Sequence, residues 1–168
     1  MSSFLDIHLK LYYNLTRCAK LSTMLISAEK VLPIFDEETH RERVEVYNWF
    51  RDAISSLWQW IDTRKMTAKE FYNQFIKDKI GHYLLEDTPR DAGAFNTCIN
   101  TILYGAEIMY NFSNPDDVKN FPIPSIIADT DYIITVKCLE WALKASEDKE
   151  EELAWQEKVI NQLLQDYY

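Results

Sequence analysis

The segment Val44–Ile61, VEVYNWFRDAISSLWQWI, constrains the fold more than any other part of the chain. Wound at about 100° per residue, it places Tyr47, Phe50, Ile54, Leu57, Trp58 and Ile61 on one face. Trp49, Ala53, Ser56 and Trp60 form a second face beside it, and Asn48, Arg51, Asp52, Ser55, Gln59 and Asp62 share the polar remainder. A helix apolar over so much of its girth needs neighbours on two sides. The pattern predicts a central helix over about 44–62.

A second stretch has the same character. Over about Ser125 to Ala145, Ile127, Ile134, Cys138, Trp141 and Ala145 make one stripe, and Tyr132, Val136, Leu139 and Leu143 make another. Around these two rods the remaining helices fall into place. One is expected from about Phe4 to Leu32, capped by Ser2 or Ser3, turned inward along Leu11, Leu15, Cys18, Ser22 and Leu25, and stopped by Pro33. Thr67 and Glu70 stand in capping-box spacing, with Met66 and Phe71 as a hydrophobic staple, and start a helix running to about Lys79 before Gly81. Thr88-Pro89-Arg90-Asp91 reads as cap, first-turn proline and acidic third position of a helix that fades near Phe112. Asn114-Pro115-Asp116-Asp117 opens a short helical turn, and Asp148 with Glu151 opens the last helix, whose inner stripe is Leu153, Ile160, Leu163, Leu164 and Tyr167. With three glycines and five prolines, a sheet of many short strands has too few turns. The expected class is all-α, a single domain over 1–168 built as a bundle of about six helices with two central ones.

Charge and thiols narrow the functional classes. A net charge of -9 opposes binding to nucleic acid or an anionic membrane, because neutralising phosphates takes clustered Lys and Arg. It favours a basic partner. Cys18, Cys98 and Cys138 are odd in number, widely spaced and without a CxxC pair, so free thiols in a reducing cytoplasm are expected. The N-terminus has no basic region followed by an apolar run, and no stretch approaches membrane-spanning length.

Catalytic patterns are scarce. Of the three histidines, His8, His40 and His82, only His40 sits in a metal-type spacing, Glu37-x-x-His40. Di-iron bundles need that motif twice, with two further inward carboxylates, and neither other histidine repeats it. Asp129-x-Asp131 puts two carboxylates on different sides of a helix, where an acidic first turn explains them. Gly81, Gly93 and Gly105 are isolated, which excludes a glycine-rich phosphate loop, and there is no GxSxG. No catalytic, cofactor-binding or metal-ligating residue is assigned. An enzyme would instead need a polar cavity between helices, around His82 or Glu107.

Surface chemistry offers more. The run Glu147-Asp148-Lys149-Glu150-Glu151-Glu152 holds five acids in six residues; it is a favourable helix start and also a candidate face for a cationic partner. Asp36, Glu37, Glu38, Glu42 and Glu45 join the same field if the fold brings them near. Trp49 and Trp60 are expected in the core, whereas Trp155 leaves the inner stripe of the last helix and is a candidate anchor for a partner or for a second copy of the chain.

The order of elements carries a resemblance. Glu29-Lys30-x-x-Pro33 ends one helix, Leu57-Trp58 ends the next, Pro89 precedes the Ala92–Tyr110 helix, and Trp141 and Trp155 mark a closing pair. This resembles small bacterial all-helical proteins of unknown function, and the all-helical immunity proteins encoded beside polymorphic or contact-dependent toxins. The second resemblance implies a stoichiometric inhibitor, monomeric or homodimeric, that binds a cognate and often basic toxin domain in the cytoplasm of the producing cell. The contacts expected here are Asp36, Glu37, Glu38, Glu42, Glu45, Glu147, Asp148, Glu150, Glu151 and Glu152, together with Trp155. The alternatives are a homo-oligomeric structural module and, further off, the enzyme.

Overall fold

Thr16 stands in extended backbone (φ -65°, ψ 164°), and its hydroxyl accepts the Ala19 amide, so it caps α1, Arg17–Val31. The computed structural model describes residues 15–36, 41–79, 89–119 and 132–166. The helix expected over Phe4–Leu32 is therefore interrupted at Thr16: a hydroxyl that bonds the amide three residues on starts a helix instead of continuing one. The expected caps Ser2 and Ser3, and Leu11, lie outside the described residues. Beyond α1 the chain tightens into a 3-10 turn, Leu32–Asp36, around Pro33, which lacks the N–H an α-helix would use.

The other helices are α2 (Arg41–Thr63), α3 (Ala68–Phe75), α4 (Pro89–Asn111), the single turn α5 (Pro115–Val118), α6 (Tyr132–Ala145) and α7 (Lys149–Asp166). No strand occurs among the described residues, and the fold is an all-helical bundle. The local start signals hold. Thr67 Oγ1 accepts the Glu70 amide at 3.1 Å while Glu70 Oε2 accepts the Thr67 amide at 2.9 Å. Asn114 caps α5, and Asp148 Oδ1 accepts the Glu151 amide at 3.0 Å. α3 stops at Phe75, short of the expected Lys79, and Asp78 beyond it takes a left-handed φ of 61° that no α-helix continues through. Gly81, Thr88, the residues before Tyr132 in the expected 125–145 helix, and Tyr167 lie outside the described residues.

Along α2 the buried stripe is Val46, Trp49, Phe50, Ala53, Ile54, Leu57 and Trp60. It follows the seam between the two faces read from periodicity, so both reach the core. Trp49 and Trp60 are core, and the Trp49 indole N–H ties the end of α3 by donating to the Phe75 carbonyl at 2.8 Å. The outer edge of the first face, Tyr47, Trp58 and Ile61, is only partly buried. Trp58, on the face expected to point inward, is half-buried and packs against the core from this edge.

The most enclosed rod is α4. It packs against α6, α1, α2 and α3, and buries Thr97, Cys98, Thr101, Ile102, Ala106 and Ile108 on several sides. Two glycines permit this. A Cβ on Gly93 would stand 2.6 Å from the Trp141 carbonyl oxygen of α6, and one on Gly105 would stand 2.5 Å from Leu57 Cδ2 of α2. The buried hydroxyls of Thr23, Thr97 and Thr101 donate to carbonyls four residues back, and that of Thr101 also lies 3.3 Å from the Met24 carbonyl of α1 and 3.6 Å from Cys138 Sγ of α6. Residue pairing gives the directions. Trp58 meets Glu29 and Arg64 meets Cys18, so α1 and α2 are antiparallel. Lys30 meets Glu152, while Leu15 and Ala19 cluster with Ile160 and Leu163, so α1 and α7 are antiparallel too. That last cluster, completed by Leu139, is a small apolar core separate from the main one.

Candidate partner-binding face

Glu29 and Lys30 are consecutive on the last turns of α1, so they leave the helix about 100° apart. Each meets a tryptophan from a different neighbour. The Glu29 carboxylate accepts the Trp58 indole N–H of α2 at 2.8 Å. The Lys30 ammonium lies 3.9 Å from the centre of the Trp155 ring of α7 and 2.5 Å from Glu152 Oε2. The end of α1 thus forms an exposed ridge between two half-buried tryptophans.

Around this ridge the acids gather. The Lys30–Glu152 pair sets the start of α7 beside the end of α1, and exposed Glu147, Asp148, Glu150 and Glu151 follow it there. Asp36, exposed, closes the 3-10 turn that continues from α1. Glu45, also exposed, stands early on α2; the contact of Phe35 with Phe50 (5.4 Å between ring centres) brings that part of α2 to the same end. Among the described residues no cation pairs with Glu147, Glu150 or Glu151. Glu37 and Glu38 lie outside the described residues, as does the side chain of Glu42.

One expected contact residue, Glu152, needs correction. Glu152 is 3% exposed and turned inward, where it accepts Gln156 Nε2 at 2.9 Å besides pairing with Lys30. It sits at the head of a buried stripe, Glu152, Gln156, Ile160 and Leu163, and is no part of an outer face. Trp155 does stand outside that stripe, but Lys30 covers its ring, which leaves it a poor centre for an apolar self-contact.

The sequence names Glu29, Trp58 and Asp62 only as parts of helices and assigns none of them to a partner face. On α2, Ser55, Trp58, Gln59 and Asp62 follow i, i+3, i+4 and i+7 spacing, which aligns them along one edge. With Glu29, Leu32, Ile54 and Arg51 they line a groove of about 290 Å³ between α1 and α2. Arg51 is engaged by its neighbour, its Nε and Nη2 lying 3.2 and 3.1 Å from Asp52 Oδ1.

A second cleft lies past the C-terminal end of α2, lined by Trp60, Arg64 and Phe112 among others. Arg64 follows the helix in left-handed backbone (φ 55°), and its guanidinium lies over the rings of Trp60 (4.2 Å) and Phe112 (5.0 Å), with Nη2 3.3 Å from Cys18 Sγ. Glu107, the candidate for an enzymatic cavity, is half-buried, accepts Asn111 Nδ2 at 3.2 Å and lines neither cleft. The thiols of Cys98 and Cys138 are fully enclosed, and burial pushes both up, Cys138 to about 12. All three cysteines are free. His8, His40, His82, Asp129 and Asp131 lie outside the described residues; among those described, no three His, Cys, Asp or Glu converge as metal ligands, and no helix is long and apolar enough to cross a membrane. Compared with family models, curated proteins and solved structures, the chain has no match.

Proposed function

We propose that this protein acts by contact, as an immunity protein that holds a cognate, basic toxin domain against the acidic end of the bundle. The observation that supports the reading is the convergence at the end of α1. Exposed Glu147, Asp148, Glu150, Glu151 and Asp36 share one end with Glu29 and two half-buried tryptophans, in a chain of net charge -9. Clustered carboxylates steer a basic protein into encounter and set its orientation, while half-buried aromatics supply the desolvated contact that slows release. Such a role needs no reacting group on this chain.

The test is co-expression with the toxin domain encoded beside the gene. Protection of the host and co-purification as a stoichiometric complex are the expected outcome. Reversal of Glu147, Glu150 and Glu151 to Lys should leave folding intact and weaken the complex most at low ionic strength, since exposed charges are screened by salt. A host that dies with the wild-type protein present, with no complex recovered, overturns the proposal.

A further inference from the structure

The groove between α1 and α2 has a floor and a charge that select one kind of occupant. Its walls are mainly apolar, from Leu32, Ile54 and the half-buried Trp58, yet two carboxylates, Glu29 and Asp62, stand at its rim. We infer that this groove takes a single cationic side chain of the partner, an arginine for preference, laid flat on Trp58 between Glu29 and Asp62. This rests on the contact reading above and names the chemistry that reading leaves open.

Four features carry it. The indole is locked: its N–H is spent on Glu29 at 2.8 Å, so the ring offers an incoming group its face and not its donor. A positive group over an indole face is held by the ring quadrupole, and a planar guanidinium stacks there as well. Glu29 has only Oε1 engaged by the indole, which leaves Oε2 for a charge-assisted bond, and Asp62 follows Trp58 by one helical turn on the same edge. Arg51 also lines the groove, but Asp52, 3.1 Å from its guanidinium, offsets its charge locally, so the net charge at the rim is that of the two carboxylates. Finally, about 290 Å³ lies at the bottom of the range for small-molecule pockets and suits one inserted side chain.

The test uses the intact protein and a probe of defined charge. Trp58→Phe identifies the Trp58 indole resonance among the five tryptophans, and wild type is titrated with N-acetyl-arginine amide and with its neutral isostere N-acetyl-citrulline amide. A saturable shift of the Trp58 resonance with the arginine probe, absent with citrulline and weakened at least about tenfold in Glu29→Gln/Asp62→Asn, is the expected result. Equal response to both probes, or a response confined to Trp155, overturns the inference. The same double variant separates the two proposals. If it is bound and protects as well as wild type, the groove is idle while the immunity reading stands; if wild type takes the arginine probe but never protects, the groove stands and the immunity reading falls.

Discussion

Lys30→Met should destabilise the protein more than Glu152→Gln, although both break the same ion pair. The reason is exposure. The Lys30 side chain is 40% exposed and can turn to water when its partner is gone, whereas Glu152 is 3% exposed and stays largely enclosed. Lys30→Met strands a buried carboxylate whose remaining donor is Gln156 Nε2 at 2.9 Å. Breaking a buried pair in this way costs about 3–5 kcal/mol; solvent reaching the site from the lysine side brings the expectation down to about 2–3 kcal/mol. Loss of the ammonium over Trp155 is a small part of that. Glu152→Gln keeps the shape and an acceptor for Gln156, and its cost is about 1 kcal/mol. Urea melts of the two variants and the double variant give both costs and their coupling. Because the inner stripe of α7 is polar in its first half, with Gln156 Oε1 buried and lacking a hydrogen-bond partner, amide exchange of Lys30→Met should rise first in α7. Equal costs, or a coupling under about 0.5 kcal/mol, would refute the picture of a trapped carboxylate held by one lysine.

Trp60→Ala should cost about 3–5 kcal/mol and Trp58→Ala about half that, because Trp60 is 4% exposed and Trp58 only partly buried; matching losses in melts would contradict this. Gly93→Ala should lose about 1–3 kcal/mol despite a gain of about 1 kcal/mol in helix propensity, since its Cβ would meet the rigid backbone of Trp141 and Ala145. Gly105→Ala meets mainly the tips of Leu57 and should be milder; a reversed order would mean that α2, not α6, sets the closeness of α4. Alkali should unfold the protein through its buried acids. Burial holds the Cys138 thiol near 12 against an ordinary 9.0, with the Thr101 hydrogen bond drawing it partly back, and burial likewise raises Cys98 and Tyr104. Between those values the unfolded chain has released its thiol protons and the native one has not, so stability is full below about pH 9 and falls as pH rises towards 12. A flat profile over that window, or a Cys138→Ala variant with an unchanged slope, would count against it.

What the sequence made legible follows the range of the interactions involved. Capping at Thr67, Asn114 and Asp148 depends on residues two or three apart, so their types were enough to place three helix starts. The break at Thr16 is also local, but a threonine directly before Arg17 looks the same in sequence whether it caps or continues a helix, and only the bond to Ala19 decides. Burial is less local. Two apolar faces on α2 told that it had neighbours on two sides, not which edge would be left out; Trp58 is at that edge because Glu29, 29 residues earlier, arrives there to take its N–H. The groove was invisible for the same reason, as its two walls meet only through the antiparallel packing of α1 on α2. Glu152 is the instructive case. Its run of acids reads as one solvated cluster by composition, but phase separates its members: Glu152, Gln156, Ile160 and Leu163 recur at i, i+4, i+8 and i+11, on the same side as the apolar residues that bury the helix. A carboxylate in that register must go inside with a cation or leave α7 undocked, and Lys30 at the end of α1 supplies the cation. Of the acids at this end, Glu150 and Glu151 are out of phase with that stripe and Glu147 precedes the helix, so the reversal of these three tests contact without touching the clasp that holds the helix.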